Sequence, residues 1–196
     1  GSTFHGWLYL DRRGASSSTN IHEAVNFAAA IGHFVGLALS NVARMQLQER
    51  MDREQCELFS GTMRTLIEAI DAKDPYTRGH SDRVSRFAAL LAERAVLGIQ
   101  FVEQARLCGL VHDIGKINVP GDVLRKPARL TDEEFAQITV HPEVSYKILY
   151  PIPQMRDVLP GVLEHHEKWD GSGYPHKLAG DKISVLGRII CIADCF

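Results

Sequence analysis

A mostly α-helical protein follows from three features of the sequence. All eight prolines lie at or after position 75, so the first 74 residues lack the strongest helix breaker. Apolar residues recur at alternating 4 and 3 spacing along most of that segment, a helical period. Beyond it, no run alternates apolar and polar over more than a few residues, as half-buried strands do.

The elements follow in order. Phe4-His5-Gly6-Trp7-Leu8-Tyr9-Leu10 is rich in aromatic and apolar residues and reads as a strand. It runs into Asp11-Arg12-Arg13-Gly14 and a loop, Ala15 to Asn20, of turn and cap residues. From His22 to about Asp71 the only glycines are at 32, 36 and 61. Steps of 4 and 3 from Ala24 reach Ala28, Ile31, Val35, Ala38, Val42, Met45, Glu49, Asp52, Cys56, Phe59, Met63, Leu66 and Ile70. Only Glu49 and Asp52 interrupt that heptad seam. It predicts one coiled-coil-like helix of roughly seven heptads that pairs with a second copy of the chain. The plainer alternative is two amphipathic helices whose phases agree.

Asp74-Pro75 marks a boundary, since the residue before proline is pushed out of the helical region. His80 opens an amphipathic helix with Val84, Phe87, Ala88, Leu91 and Ala95 on one face, closed by Gly98. A second runs from about Phe101 to His112-Asp113. Thr131 to Glu134 is a capping box, with Leu130 and Phe135 as its hydrophobic staple. That helix reaches His141, where Pro142 ends it or begins the next. A further helix from about Met155 carries Glu164-His165-His166-Glu167, and Ser184 caps a last one, Val185 to Phe196.

Composition bounds the function. Lys+Arg 22 against Asp+Glu 24 gives a net charge of −2, which removes the electrostatic case for binding a nucleic acid polymer. With 45% hydrophobic and 23% charged residues the chain is globular. The weakly polar run Phe27 to Leu39, interrupted by His33, falls short of the ~18 residues that span a bilayer, so no membrane partner is expected. No basic-then-apolar signal segment opens the chain. Cys56, Cys108, Cys191 and Cys195 form no CxxC pair, which suits a reducing, cytoplasmic setting.

Of the nine histidines, five sit with two aspartates at predicted helix ends in the second part. His112-Asp113 are neighbours about 100° apart on a helix, so one can serve one metal while the other leans toward a second. A carboxylate bridges two cations where an imidazole cannot. His165-His166 is a second adjacent pair, and His80, His141 and Asp194 complete two sites. Imidazole with carboxylate and no thiolate suits Fe or Mn, with Ni and Zn compatible. Two such metals hold a hydroxide at neutral pH and grip both sides of a phosphoryl group. His5, His22, His33 and His176 read as ordinary surface or loop residues.

These residues carry a resemblance. Asp74 to Ser81, His112-Asp113-Ile114-Gly115-Lys116, Leu124 to Pro127, His141-Pro142, the string His165 to Pro175, and Arg188 to Asp194 resemble the HD-GYP family of metal-dependent phosphohydrolases. The likeness covers about 65 to 196. It implies an all-helical bundle around a dimetal site that hydrolyses cyclic di-GMP to pGpG or GMP by a metal-bridging hydroxide. Residue by residue, it implies that His80, His112, Asp113 and Asp194 hold one metal and that Asp113 bridges. His141, His165 and His166 hold the other. Lys116 would sit beside the substrate phosphate, and Gly173-Tyr174-Pro175 would form a loop at the mouth of the site. Some family members hold a third metal with a glutamate four residues before the first histidine; Tyr76 stands there, so two metals are expected.

The start of the chain resembles the last strand and closing helix of an α+β GAF sensor domain, through Gly6 to Asp11, Ala30 to Gly32 and Leu39 to Asn41. The expected organisation is the end of a GAF-like domain at 1–45, a transmitter helix at 46–70 and the catalytic domain at 71–196. The family pattern continues past Asp194, so the catalytic segment is expected to lack its last part. The leading expectation is a cytoplasmic homodimer, joined through the long helix, that works as a sensor-regulated phosphodiesterase. Alternatives are a silent module binding cyclic di-GMP or a diguanylate cyclase (GGDEF) domain, and a hydrolase of another nucleotide.

Overall fold

The computed structural model describes residues 21–73 and 79–196. The expected strand at Phe4 to Leu10, the loop after it and Asp74 to Arg78 lie outside the described residues. The GAF-like reading of the first residues rests on that strand and, with it, lies outside the described residues. Among the described residues there are helices and no strand.

The chain divides into two units, Gly1–Gly61 and Thr62–Phe196. Helix α1, Ile21–Asp71, is continuous across that division, as a proline-free segment allows. Within the first unit its side chains are mostly exposed, Phe27 at 68% and Phe34 at 70%. Its exposed charges pair along one side, Arg50 Nε to Glu54 Oε1 at 2.8 Å. One expectation needs correction here. No charged residue occurs from Ala24 to Ala43, and α1 is long and apolar enough to cross a membrane by length and composition. The run that ended at Leu39 was cut short by Ser40 and Asn41, which are uncharged.

The seam along α1 also changes phase. Met63 and Ile67 are buried in the second unit, whereas Leu66 is 47% exposed. A straight helix drifts about 20° per heptad from a 3.5-residue repeat, so the inward face moves off the seam.

The second unit is a bundle of short helices. They are α2 (His80–Arg94), α3 (Ile99–Val111), α4 (Gly121–Leu124), α5 (Asp132–Thr139), α6 (His141–Leu149), α7 (Leu159–Glu164) and α8 (Val185–Asp194). Single 3₁₀ turns precede α4, α7 and α8, at Ile114–Asn118, Pro153–Val158 and Gly180–Lys182. Ala88 and Ala92 of α2, Ala105, Cys108 and Val111 of α3, Leu149 of α6, Val162 of α7 and Ile190 of α8 are fully buried and form the core. Three expected helix ends differ. The segment at Met155 is a 3₁₀ turn, and α7 begins only at Leu159, with Pro160 in its first turn. His112-Asp113 and His165-His166 each lie just past a helix rather than within one.

Local signals hold elsewhere. Thr131 Oγ1 accepts from Glu134 N at 3.2 Å and Glu134 Oε2 accepts from Thr131 N at 2.7 Å, a complete capping box. Ser184 Oγ accepts from Gly187 N at 3.0 Å and caps α8.

Candidate metal centre

Five helix ends deliver candidate ligands to a common space. His80 opens α2, His112 caps the end of α3, His141 opens α6, His165 caps the end of α7 and Asp194 ends α8. Asp113 precedes the 3₁₀ turn Ile114–Asn118. The positions expected from sequence thus converge, although separated by up to 114 residues.

They form two clusters that share Asp113. One holds Asp113, His141, His165 and His166; the other holds His80, His112, Asp113 and Asp194. In each, one ligand atom per residue lies within 4.8 Å of all the others. Asp113 Oδ1 lies 3.1 Å from His141 Nε2 and 3.9 Å from His165 Nε2. Its Oδ2 lies 3.3 Å from His112 Nε2. One carboxylate therefore faces both clusters, one oxygen to each. In the second cluster Asp194 Oδ1 is 2.8 Å from His80 Nε2 and 3.4 Å from His112 Nε2.

Three imidazoles are oriented by the same local device. His112 Nδ1 donates to Gly109 O at 2.8 Å, His141 Nδ1 to Ile138 O at 2.7 Å and His165 Nδ1 to Val162 O at 2.7 Å. In each case the carbonyl lies three residues earlier, where the last or preceding turn of helix leaves one free. A carbonyl only accepts, so Nδ1 carries a proton in each ring and Nε2 is the nitrogen turned inward.

This donor set fits a cation. His141 Nε2 and His165 Nε2 face each other at 3.2 Å beside a carboxylate oxygen. His112 Nε2 and Asp113 Oδ1 are buried without a hydrogen-bond partner among the described residues. Burial, followed by the neighbouring His166 and His112, holds His165 well below the usual imidazole range, so it is a neutral ligand. Burial and His141 push His166 down to about 4. Burial opposes charge on His112 too, but the Asp113 and Asp194 carboxylates outweigh it and push it up to about 10. Positive charge is favoured at that nitrogen. Burial alone would raise the Asp113 carboxyl; His112, His141 and Lys116 overcome it and hold it well below the usual carboxylate range. Asp194 is likewise held low by His112 and His80 against its burial.

Lys116 is inside the centre, its Nζ 2.6 Å from Asp113 Oδ2. The Gly173-Tyr174-Pro175 loop closes over the first cluster. Tyr174 N donates to His166 O at 3.2 Å, and the Tyr174 ring stacks on His166 with centroids 4.7 Å apart. Phe135, expected to staple α5, also presents its ring edge-on to Tyr174 at 6.3 Å. A Cβ on Gly173 would overlap backbone atoms of His166, Glu167 and Lys168, so only glycine lets the loop fold back onto the histidine pair.

Sequence reasoning assigned no role to three residues that shape the centre. Glu167, 2% exposed, accepts from His176 N at 2.6 Å and Leu178 N at 3.0 Å and latches the Gly-Tyr-Pro loop. Glu164 Oε2 accepts from Ser184 N at 2.6 Å and tethers the start of α8. Ser145 Oγ donates to His112 O at 2.9 Å and accepts from Gly115 N at 2.8 Å. A side chain on Gly115 would overlap His141 O and Ser145 N, so α6 lies directly on that turn. The two glutamates flank the histidine pair in sequence, their only visible signal; nothing local marks Ser145.

Residues 64–196 match the family model described as HD domain. The chain belongs to the HD domain family. HD phosphohydrolases are metal-dependent, in keeping with the two clusters. This HD domain is similar to 3′3′-cGAMP-specific phosphodiesterase 3 of Vibrio cholerae, 39% identical over 127 residues, which is 65% of this chain and 28% of that protein. It is also similar to the cyclic di-GMP phosphodiesterase response regulator RpfG of Xanthomonas campestris pv. campestris, 36% identical over 158 residues, 79% of this chain and 40% of that protein. A cyclic di-GMP phosphodiesterase of Thermotoga maritima is 38% identical over 128 residues, 63% of this chain and 34% of that protein. These relatives support placing the HD domain in the HD-GYP family. The chain spans between 28% and 40% of the length of these relatives.

Proposed function

We propose that the chain carries the catalytic domain of a cyclic di-GMP phosphodiesterase, yielding pGpG, GMP or both. The observation that carries this reading is the Asp113 carboxylate, whose two oxygens face separate ligand clusters. His80, His112, Asp113 and Asp194 would hold one divalent cation, and Asp113, His141, His165 and His166 the other. When bound, such a pair supplies Lewis acidity and a water nucleophile for in-line displacement at phosphorus. Fe and Mn suit these ligands best, with Ni and Zn compatible. Tyr76, where some family members carry a third metal's glutamate, supports two ions per chain.

The chain's own groups serve the substrate around that pair. The Lys116 ammonium, anchored on Asp113, lies where it offsets charge on a phosphoryl oxygen. Burial, then the Asp113 and Asp194 carboxylates, raise the Tyr174 phenol, which stays protonated as a donor at the mouth of the centre. We further propose a GAF-like sensor at 1–45, a transmitter helix at 46–70, a catalytic domain at 71–196, homodimerisation through α1 and a cytoplasmic location. Diguanylate cyclase (GGDEF) domains are candidate partners of the Gly-Tyr-Pro loop.

The test is turnover of cyclic di-GMP by protein loaded with Mn or Fe, compared with Asp113→Ala. Product formation by the wild type and its loss in the variant are expected. Calorimetric binding of cyclic di-GMP without product would instead identify a silent binding module. A second substrate reading is favoured by one observation, the 39% identity to a 3′3′-cGAMP-specific phosphodiesterase. Parallel assays with the two cyclic dinucleotides separate these readings.

A further inference from the structure

The end of α1 is tied to two of the three segments that carry the second cluster, the start of α2 and the turn after Asp113. Asp71, the last residue of α1, accepts through Oδ1 from Ser81 Oγ at 3.0 Å. Ser81 is 2% exposed and directly follows His80. Two residues past the helix, Lys73 Nζ donates to Ile117 O at 2.8 Å and to Val119 O at 2.5 Å. Those carbonyls lie at the end and exit of the 3₁₀ turn that opens beside Asp113 and carries Lys116. The Lys73 carbonyl itself accepts from Arg125 Nη1 at 3.4 Å, at the end of α4.

The 3₁₀ turn is therefore held at two points. Its start rests on α6 through the Gly115 N–H on Ser145 Oγ, with no room for a side chain between them. Its end is held by an ammonium on two carbonyls, and hydrogen bonds with one charged member are roughly twice as strong as neutral ones. Asp113 lies just before the first point, and Lys116 lies between the two. A shift of the last turn of α1 would move the exit of this turn and, through Ser81, the start of α2 that bears His80.

We propose that Asp71 and Lys73 are positioning residues for the metal centre, setting where His80 and the Asp113 to Lys116 turn sit. Neither belongs to a ligand cluster. The proposal rests on the metal-centre reading, but not on the identity of the substrate. It also gives α1 a physical route to the centre, since any rotation of that helix arrives at two hydrogen-bonded points.

The experiment compares the full chain with Lys73→Met, Lys73→Arg, Asp71→Ala and Asp71→Asn. Met keeps the length of the stem and removes the donor; Arg restores a donor; Asn keeps the Oδ1 acceptor. Three quantities are measured: Mn²⁺ affinity by titration calorimetry, hydrogen exchange at the amides of Lys116 and Val119, and the thermal midpoint. Lys73→Met and Asp71→Ala are expected to weaken Mn²⁺ binding by about 10- to 100-fold, the usual cost of losing an outer-shell partner. Lys73→Met should also speed exchange at both amides, and Lys73→Arg and Asp71→Asn should restore wild-type behaviour. Wild-type Mn²⁺ affinity in both deletion variants overturns the proposal. So does unchanged exchange in Lys73→Met, or weakened binding in the conservative variants that tracks a fall in midpoint. Failure of the wild type to cleave cyclic di-GMP would count against the substrate reading alone, because neither Mn²⁺ affinity nor exchange depends on it.

Discussion

His112, His141 and His165 differ in position and element, yet each spends its Nδ1 proton on the carbonyl three residues before it. That bond fixes the tautomer and the ring plane without any partner from elsewhere in the chain. The clusters are separable at this scale. His80→Ala and His165→Ala should each lower the bound metal from two to about one per chain, read by elemental analysis, while Asp113→Ala empties both. Equal losses in all three variants would show that Asp113 is not shared. Glu167 acts on the loop rather than on a metal. Glu167→Gln keeps the shape but offers the His176 and Leu178 amides only one acceptor oxygen. A buried donor left unsatisfied costs about 1–3 kcal/mol. Thermal unfolding should report that loss, and KM for cyclic di-GMP should rise with metal content unchanged.

At the scale of elements, the ligands gather because helices stop where they do. The expectation that His112-Asp113 and His165-His166 lie within helices missed this. Inside a helix, each imidazole would compete with the following turn for its carbonyl; just past the end, that carbonyl is free for Nδ1. Helix α5 shows the opposite case, a start written fully in local sequence. There Glu134 is held below its ordinary 4.5, first by Lys126 and then by the Thr131 N–H. A carboxyl lowered in the folded state contributes stability above its unfolded value and loses it as pH falls through the folded one. The stability difference between wild type and Glu134→Gln should therefore be present near neutrality, begin to shrink as pH falls through 4.5 and vanish once pH is below the lowered folded value, by urea unfolding at each pH.

For the whole molecule, the open question of association lies in α1. Ile31, Val35, Val42 and Met45 keep the seam, and the last three are more than half exposed, so a second copy is the partner we propose for them. Val35→Glu should dissociate the dimer in sedimentation equilibrium while leaving the metal centre loaded. A wild-type chain that sediments as a monomer, or a variant that stays dimeric, counts against that partner. The break at Glu49 and Asp52 would then mark where pairing weakens, since like charges meet there across a parallel seam.

The helical class, the cap at Thr131, the seven candidate ligand positions and the family likeness are legible in the amino-acid order alone, because caps, periods and motif spacings are local and need no tertiary partner. That the two candidate clusters meet at Asp113 follows from folding, since residues as far as 114 apart in sequence come together only through packing. The same holds for Ser145, Glu164 and Glu167, whose roles depend on backbone groups that become neighbours once the chain folds. It holds again for the last turns of α1. A 3.5-residue seam implied one buried face, but packing within the second unit buries Met63 and Ile67 and leaves Leu66 47% exposed, because burial follows the neighbour rather than the repeat.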